Sequence, residues 1–160
     1  MATYNLKQHL IEELRQGTQM YLGDLGHLPA ERLNQVPMGV ARTPLAFTAE
    51  VAGFNHLLAA TLRGEAASMP SAEQRAEYEA RFTSHESCAA HLNASVDALV
   101  GAIEALSDEE IAAEGAAPWG AQMPRAKIAA MAASHTAYHD GQLNYIQTLY
   151  GDAEDHWFGG

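Results

Sequence analysis

His135 and His139 stand four residues apart in the segment PRAKIAAMAASHTAYHDGQLNYIQTLYG. On a helix that spacing stacks two side chains on one face, so both imidazoles can reach a single cation. A step of about 100° per residue groups them with Ile128, Ala132, Gln142 and Ile146, in an otherwise apolar stripe. Two neutral imidazoles there need carbonyl or water partners, or a shared metal ion, to offset their lost hydration. The spacing alone allows either solution. It differs from the H-E-x-x-H metalloprotease motif, because Thr136 follows His135 where that motif carries its glutamate base.

Two histidines do not complete a metal site, so a third donor is sought on another helix. The segment after Thr43-Pro44 has an apolar stripe of Phe47, Val51, Phe54, Leu58 and Leu62. Glu50 falls about 60° from its centre and His56 about 180° away. Glu50 is therefore the candidate third ligand, the alternative being a boundary carboxylate paired with solvent or with Arg42. His85 lies on the apolar face of a third helix with Tyr78, Phe82 and Leu92. It is the second-choice ligand, with His56 behind it, against the plainer role of a hydrogen-bonded core histidine. His9, His27, His91 and His156 have no such placement and read as surface or loop residues.

Around the histidine pair, Gln142 is one turn beyond His139 and can orient an imidazole through its amide. Tyr138 is a candidate cavity residue and proton donor, and Trp119 a candidate cover for the mouth of the site, with packing and loop anchoring as the alternatives. Cys88, at the edge of the third helix's buried face, reads as inert packing, and no catalytic nucleophile is expected.

The elements that must position these residues are helical. A first helix is predicted over about Asn5–Leu25, ended by Gly26 and Pro29, and a second from Thr43-Pro44 to Arg63, with Gly64 as its stop. Ser71 with Gln74 forms a capping box that opens a long third helix reaching about Leu106. Ser107 with Glu110 opens a short one, after which GAAPWGAQMP breaks regular structure. Pro124 precedes the fourth long helix, predicted to run to Tyr150 and finish at Gly151. No run reads as a strand, and the tail DAEDHWFGG is expected to be loosely held. The result is an all-α, four-helix bundle in a single domain spanning residues 1–160. Its two long connections imply that consecutive helices are not all simple antiparallel neighbours.

Nine basic against twenty acidic side chains give a formal charge of −11, the wrong sign for binding nucleic acid or an anionic membrane surface. The single cysteine forbids an intrachain disulfide. The N-terminal MATYNLKQHLIEELR lacks the apolar run of a secretory signal, and no stretch approaches the roughly twenty apolar residues of a membrane span. The cytoplasm is the expected compartment.

HTAYHDGQ carries the pattern H-x-x-x-H-x-G-Q; APWGAQMPRAKI places a Trp-Gly pair before the helix that bears it; and TPLAFTAEVAGFNHLLAATLRG supplies a matching second helix. In these segments the chain resembles the DinB-like superfamily of bacterial four-helix bundles. The resemblance implies an up-down-down-up bundle, a homodimer and a metal bound by three side chains. In that family the third ligand is usually a histidine on helix two; here Glu50 occupies the matching place, and His56 comes six residues later. The function implied is that of a metalloenzyme in which a Zn²⁺, Ni²⁺ or Fe²⁺ ion held by His135, His139 and Glu50 acts on a small-molecule substrate through an open coordination position. Some relatives are similar to thiol-dependent transferases or isomerases, which points to a low-molecular-weight thiol as co-substrate and to a thiol-dependent S-transferase as the most specific expectation. A metal-dependent hydrolase is the enzymatic alternative, and a non-catalytic, stress-associated binding or scaffold dimer with a vestigial site is the alternative of another class.

Overall fold

Helices in this chain begin where a side chain accepts the first free N–H groups. The computed structural model describes residues 5–157, and within them Asn5 caps α1 (Leu6–His27), while Thr43 caps α2 (Pro44–Leu62), whose first residue is proline. Capping boxes open α3 (Ala72–Glu79) at Ser71, α4 (His85–Ala105) at Ser84 and α5 (Asp108–Ala112) at Ser107. Pro124 precedes α6 (Arg125–Leu149). Just beyond α2 and α6, Gly64 and Gly151 take φ values of 73° and 93°, the left-handed stop that glycine adopts without penalty.

Three sequence expectations are corrected here. The long third helix is two helices, because α3 ends at Glu79 and the chain turns before Ser84 starts α4. The stretch after α5 is not irregular throughout: β1 (Glu114–Ala116) pairs antiparallel with β2 (Gln122–Pro124) as a small hairpin. The tail, as far as Trp157, is tied down rather than loose. Its His156 ring stacks on His27 with centroids 3.6 Å apart, and Trp157 Nε1 donates to Asp24 Oδ2 at 2.8 Å. Gly23 makes room for it, since a Cβ there would meet the His156 carbonyl oxygen at 3.0 Å. The last three residues of the tail lie outside the described residues.

α2 packs on α4 and α6, and α1 packs on α6 and α4. The core falls into two clusters. One gathers Leu10 and Leu14 with Leu58, Leu99, Ile103 and Ile128; the other gathers Tyr21 and Leu25 with Phe47, Val51, Leu92 and Leu143. α1 and α6 therefore run from the first cluster to the second, and α2 and α4 run the other way. Between the clusters each long helix contributes a buried polar side chain: Thr18, Asn55, Ser95 and Thr136. Asn55 donates to the Ser95 hydroxyl at 3.2 Å, Ser95 to the Leu92 carbonyl, and Thr18 and Thr136 to the carbonyls of Leu14 and Ala132. These bonds offset the cost of burying the groups and form a polar waist across the bundle.

A second polar patch lies between α1 and α6. Asp24 and Asp140 are both buried. Burial, and then the neighbouring Asp24, push the Asp140 carboxyl up to about 8. Asn144 donates to Asp24 Oδ2, and Gln147 to the Asp24 backbone carbonyl.

α2 is long and apolar enough to span a membrane by length and composition, at a mean hydropathy of 1.2, yet 56% of it is buried inside the bundle.

Candidate metal centre

Glu50 projects from α2 and His135 and His139 from α6, and their donor atoms converge within 4.8 Å of one another. The two Nε2 atoms are 3.2 Å apart, and Glu50 Oε1 is 3.4 Å from His135 Nε2 and 3.6 Å from His139 Nε2. Ligands about 2.05 Å from a tetrahedral ion stand about 3.3 Å from each other, so this spacing fits one ion of the zinc, nickel or iron kind. Exposure rises across the group: the His139 side chain is 0% exposed, His135 22% and Glu50 40%. The site is closed on the α6 side and open towards Glu50.

The tautomer of His139 is set by its neighbour. Gln142 Oε1 accepts from Nδ1 at 2.8 Å, which leaves the Nε2 lone pair facing His135 and Glu50. Phe47 stacks on the His139 ring at 5.5 Å, and Phe54 packs on the His135 ring at 4.6 Å. His135 Nδ1 is buried with no hydrogen-bond partner among the described residues.

Burial holds both imidazoles below the ordinary histidine range; for His135 the Glu50 carboxylate offsets part of that effect, and for His139 the Gln142 bond does. Glu50 is moved the other way. Burial pushes its carboxyl up, but the hydrogen bond and charge of Arg42, with smaller help from His139 and His135, outweigh burial and hold it low. At neutral pH the group therefore offers two neutral imidazoles and one carboxylate, the protonation states in which each ligates a metal.

Glu50 and His135 line one wall of a cavity of about 730 Å³. Met69 and Pro70 also line it, with Arg75 and Tyr78 of α3. Tyr78 keeps its hydroxyl buried without a hydrogen-bond partner among the described residues. Gly53 faces the Tyr78 ring, which a Cβ there would touch at 3.6 Å.

The remaining sequence candidates fall elsewhere. His85 stands apart from the triad: its Nε2 donates to the Leu28 carbonyl at 2.9 Å, pinning the start of α4 to the end of α1. His56 is exposed and sits edge-on to Tyr78 at 6.3 Å; it lines the cavity but does not join the converging donors. Tyr138 points outward at 63% exposure and meets His139 only ring edge to face, so it does not line the cavity. Trp119 lies in the turn between β1 and β2 and is absent from the cavity walls. Cys88 is fully buried, and burial pushes its thiol up to about 11. His91, read as a surface residue, packs against Phe82 at 4.9 Å.

Arg42, which the sequence offers only as an alternative partner for Glu50, is part of the site. It binds one carboxylate oxygen and leaves the other to the histidines. Its signal was a cation eight residues before Glu50, but the residue precedes the Thr43 cap, where a helical wheel has no bearing.

The model of the DinB superfamily matches residues 10–143. The chain belongs to the DinB superfamily. No curated protein matches the sequence. Among solved structures it is similar to a mycothiol-dependent maleylpyruvate isomerase, with a TM-score of 0.66, 21% identity, and coverage of 89% of this chain and 63% of the other. A variant of that isomerase with one histidine replaced by alanine gives a TM-score of 0.70 at the same identity and coverage. A conserved protein from Enterococcus faecalis gives 0.72 at 15% identity, over 92% of this chain and 98% of that one. At these identities the likeness is one of fold, and this superfamily member spans less than two thirds of the isomerase chain.

Proposed function

We propose that this protein is a divalent-metal enzyme that activates a low-molecular-weight thiol, with Glu50, His135 and His139 as its metal ligands. The observation that carries the reading is the convergence of three donors at 3.2–3.6 Å, two of which, Glu50 and His135, line a cavity large enough for a small molecule. A bound divalent ion supplies Lewis acidity, which favours the deprotonated form of a thiol. The chain's own residues do the positioning. Gln142 orients His139, Phe54 packs on the ring of His135, and Arg42 holds the far oxygen of Glu50.

Support for a thiol comes from the structural neighbour described as mycothiol-dependent. The protein's own Cys88 cannot stand in for it, being buried and held as the neutral thiol. The homodimer, implied by the family resemblance, and the cytoplasmic setting, expected from the sequence, belong to the same reading.

Metal analysis of protein purified without chelators, beside a His135→Ala/His139→Ala variant, tests the centre. Near-stoichiometric metal in the wild type and none in the variant is expected. A cobalt-loaded sample is then titrated with small thiols, which should shift its absorption. Silence across the thiols with metal present would favour a metal-dependent hydrolase. No metal after incubation with zinc, nickel and iron salts would favour the non-catalytic binding protein.

A further inference from the structure

Arg42 sits just before the Thr43 cap of α2 and reaches two parts of the site. Its guanidinium binds Glu50 Oε2, the oxygen turned away from the histidines, and its Cζ lies 5.3 Å over the Phe47 ring, which itself stacks on His139. It also lines the cavity beside His135. One cation thus touches the back of a carboxylate donor and faces the space that a further ligand would enter.

Charge gives this placement a consequence. Two neutral imidazoles and one carboxylate leave a divalent ion with a net charge of +1; the guanidinium restores the local total to +2 without occupying a coordination position. The chain as a whole carries −11, so an anion approaching this cavity meets repulsion unless a local cation offsets it. The other charged residues on the cavity wall, Arg75 and Glu79, are of opposite sign and leave the balance to Arg42.

We propose that Arg42 makes this an anion-accepting centre: it offsets the charge of Glu50, so the open position takes an anionic donor such as a thiolate in preference to a neutral one. This rests on the metal-site reading above. Arg42 is in these terms a positioning and charge-setting residue, and two readouts that a merely structural role would move together are expected to separate.

The test uses the cobalt-loaded full chain as wild type, Arg42→Gln and Arg42→Lys. Cobalt affinity is read by competition with a chelator, and affinity for thiocyanate, an anion, and imidazole, a neutral donor, by visible absorption. Compared at saturating cobalt, Arg42→Gln is expected to bind imidazole unchanged while losing about tenfold in thiocyanate affinity. Arg42→Lys keeps the charge and should retain thiocyanate binding even if Arg42→Gln proves too unstable to load. Parallel weakening of thiocyanate and imidazole, unchanged thiocyanate binding in Arg42→Gln, or loss of it in Arg42→Lys would each overturn the proposal. A wild type that takes up no cobalt would sink the metal reading itself, and this inference with it.

Discussion

Replacing Glu50 by glutamine keeps the shape of the side chain and removes its charge. If Glu50 completes the metal site, Glu50→Gln lowers metal affinity by at least about tenfold, whereas His56→Ala, altering a ring outside the donor group, leaves it unchanged. Competition with a chromogenic chelator measures both, and the reverse ranking would move the third ligand to His56. The three donors were legible in the sequence for a simple reason. Spacing of four fixes two side chains on one helical face, and the wheel of α2 separates Glu50 from His56 by about 120°. Asp24, Asn55 and Gln147 were not legible. Each is a lone polar residue in a helix, and whether it faces a neighbour or water depends on how helices pack, which no single wheel records. Arg42 fell outside any wheel because it lies before a cap.

At the scale of elements, helix starts with a strong chemical signature were readable and the others were not. Thr43-Pro44, Ser71 with Gln74 and Ser107 with Glu110 fit the pattern of a hydroxyl cap with proline, glutamine or glutamate behind it. Ser84 is boxed by Ser87 instead, with mutual bonds of 3.0 and 3.2 Å, and no glycine or proline marks the end of α3. The break was therefore invisible, as was a hairpin whose strands are three residues each, too short to alternate. The tail was misread because its anchor is remote: Trp157 binds a carboxylate 133 positions earlier. Asp24→Ala should unpair the Asn144 amide and the Trp157 indole together, costing about 2–4 kcal/mol in a denaturant melt. In a Trp119→Phe background it should also shift the emission of Trp157 to the red. Unchanged emission would show that the tail is held without Asp24.

For the molecule as a whole, the candidate centre ties α2 to α6, two helices joined otherwise by side-chain packing. An ion bound only to the folded chain stabilises it by about 2.7 kcal/mol when present at a hundred times its Kd. Removing it with a chelator is expected to lower the melting temperature by about 5–10 °C, and His135→Ala/His139→Ala should show no chelator effect. Equal melting of wild-type protein with and without chelator would mean that the bundle does not depend on the ion.

The polar waist bears on how such a centre is kept in alignment. Apolar stripes of leucine and alanine tolerate a helix sliding by one turn, because one methyl-rich layer resembles the next. Thr18, Asn55, Ser95 and Thr136 make the layers unequal. A slip of α2 against α4 would carry the Asn55 amide away from Ser95 into aliphatic surroundings, leaving it unsatisfied. Glu50, His135 and His139 all stand within five residues of that layer on their own helices. The interior thus acts as a vernier: it fixes the relative heights of helices far apart in sequence, and with them the level at which donors from two helices meet.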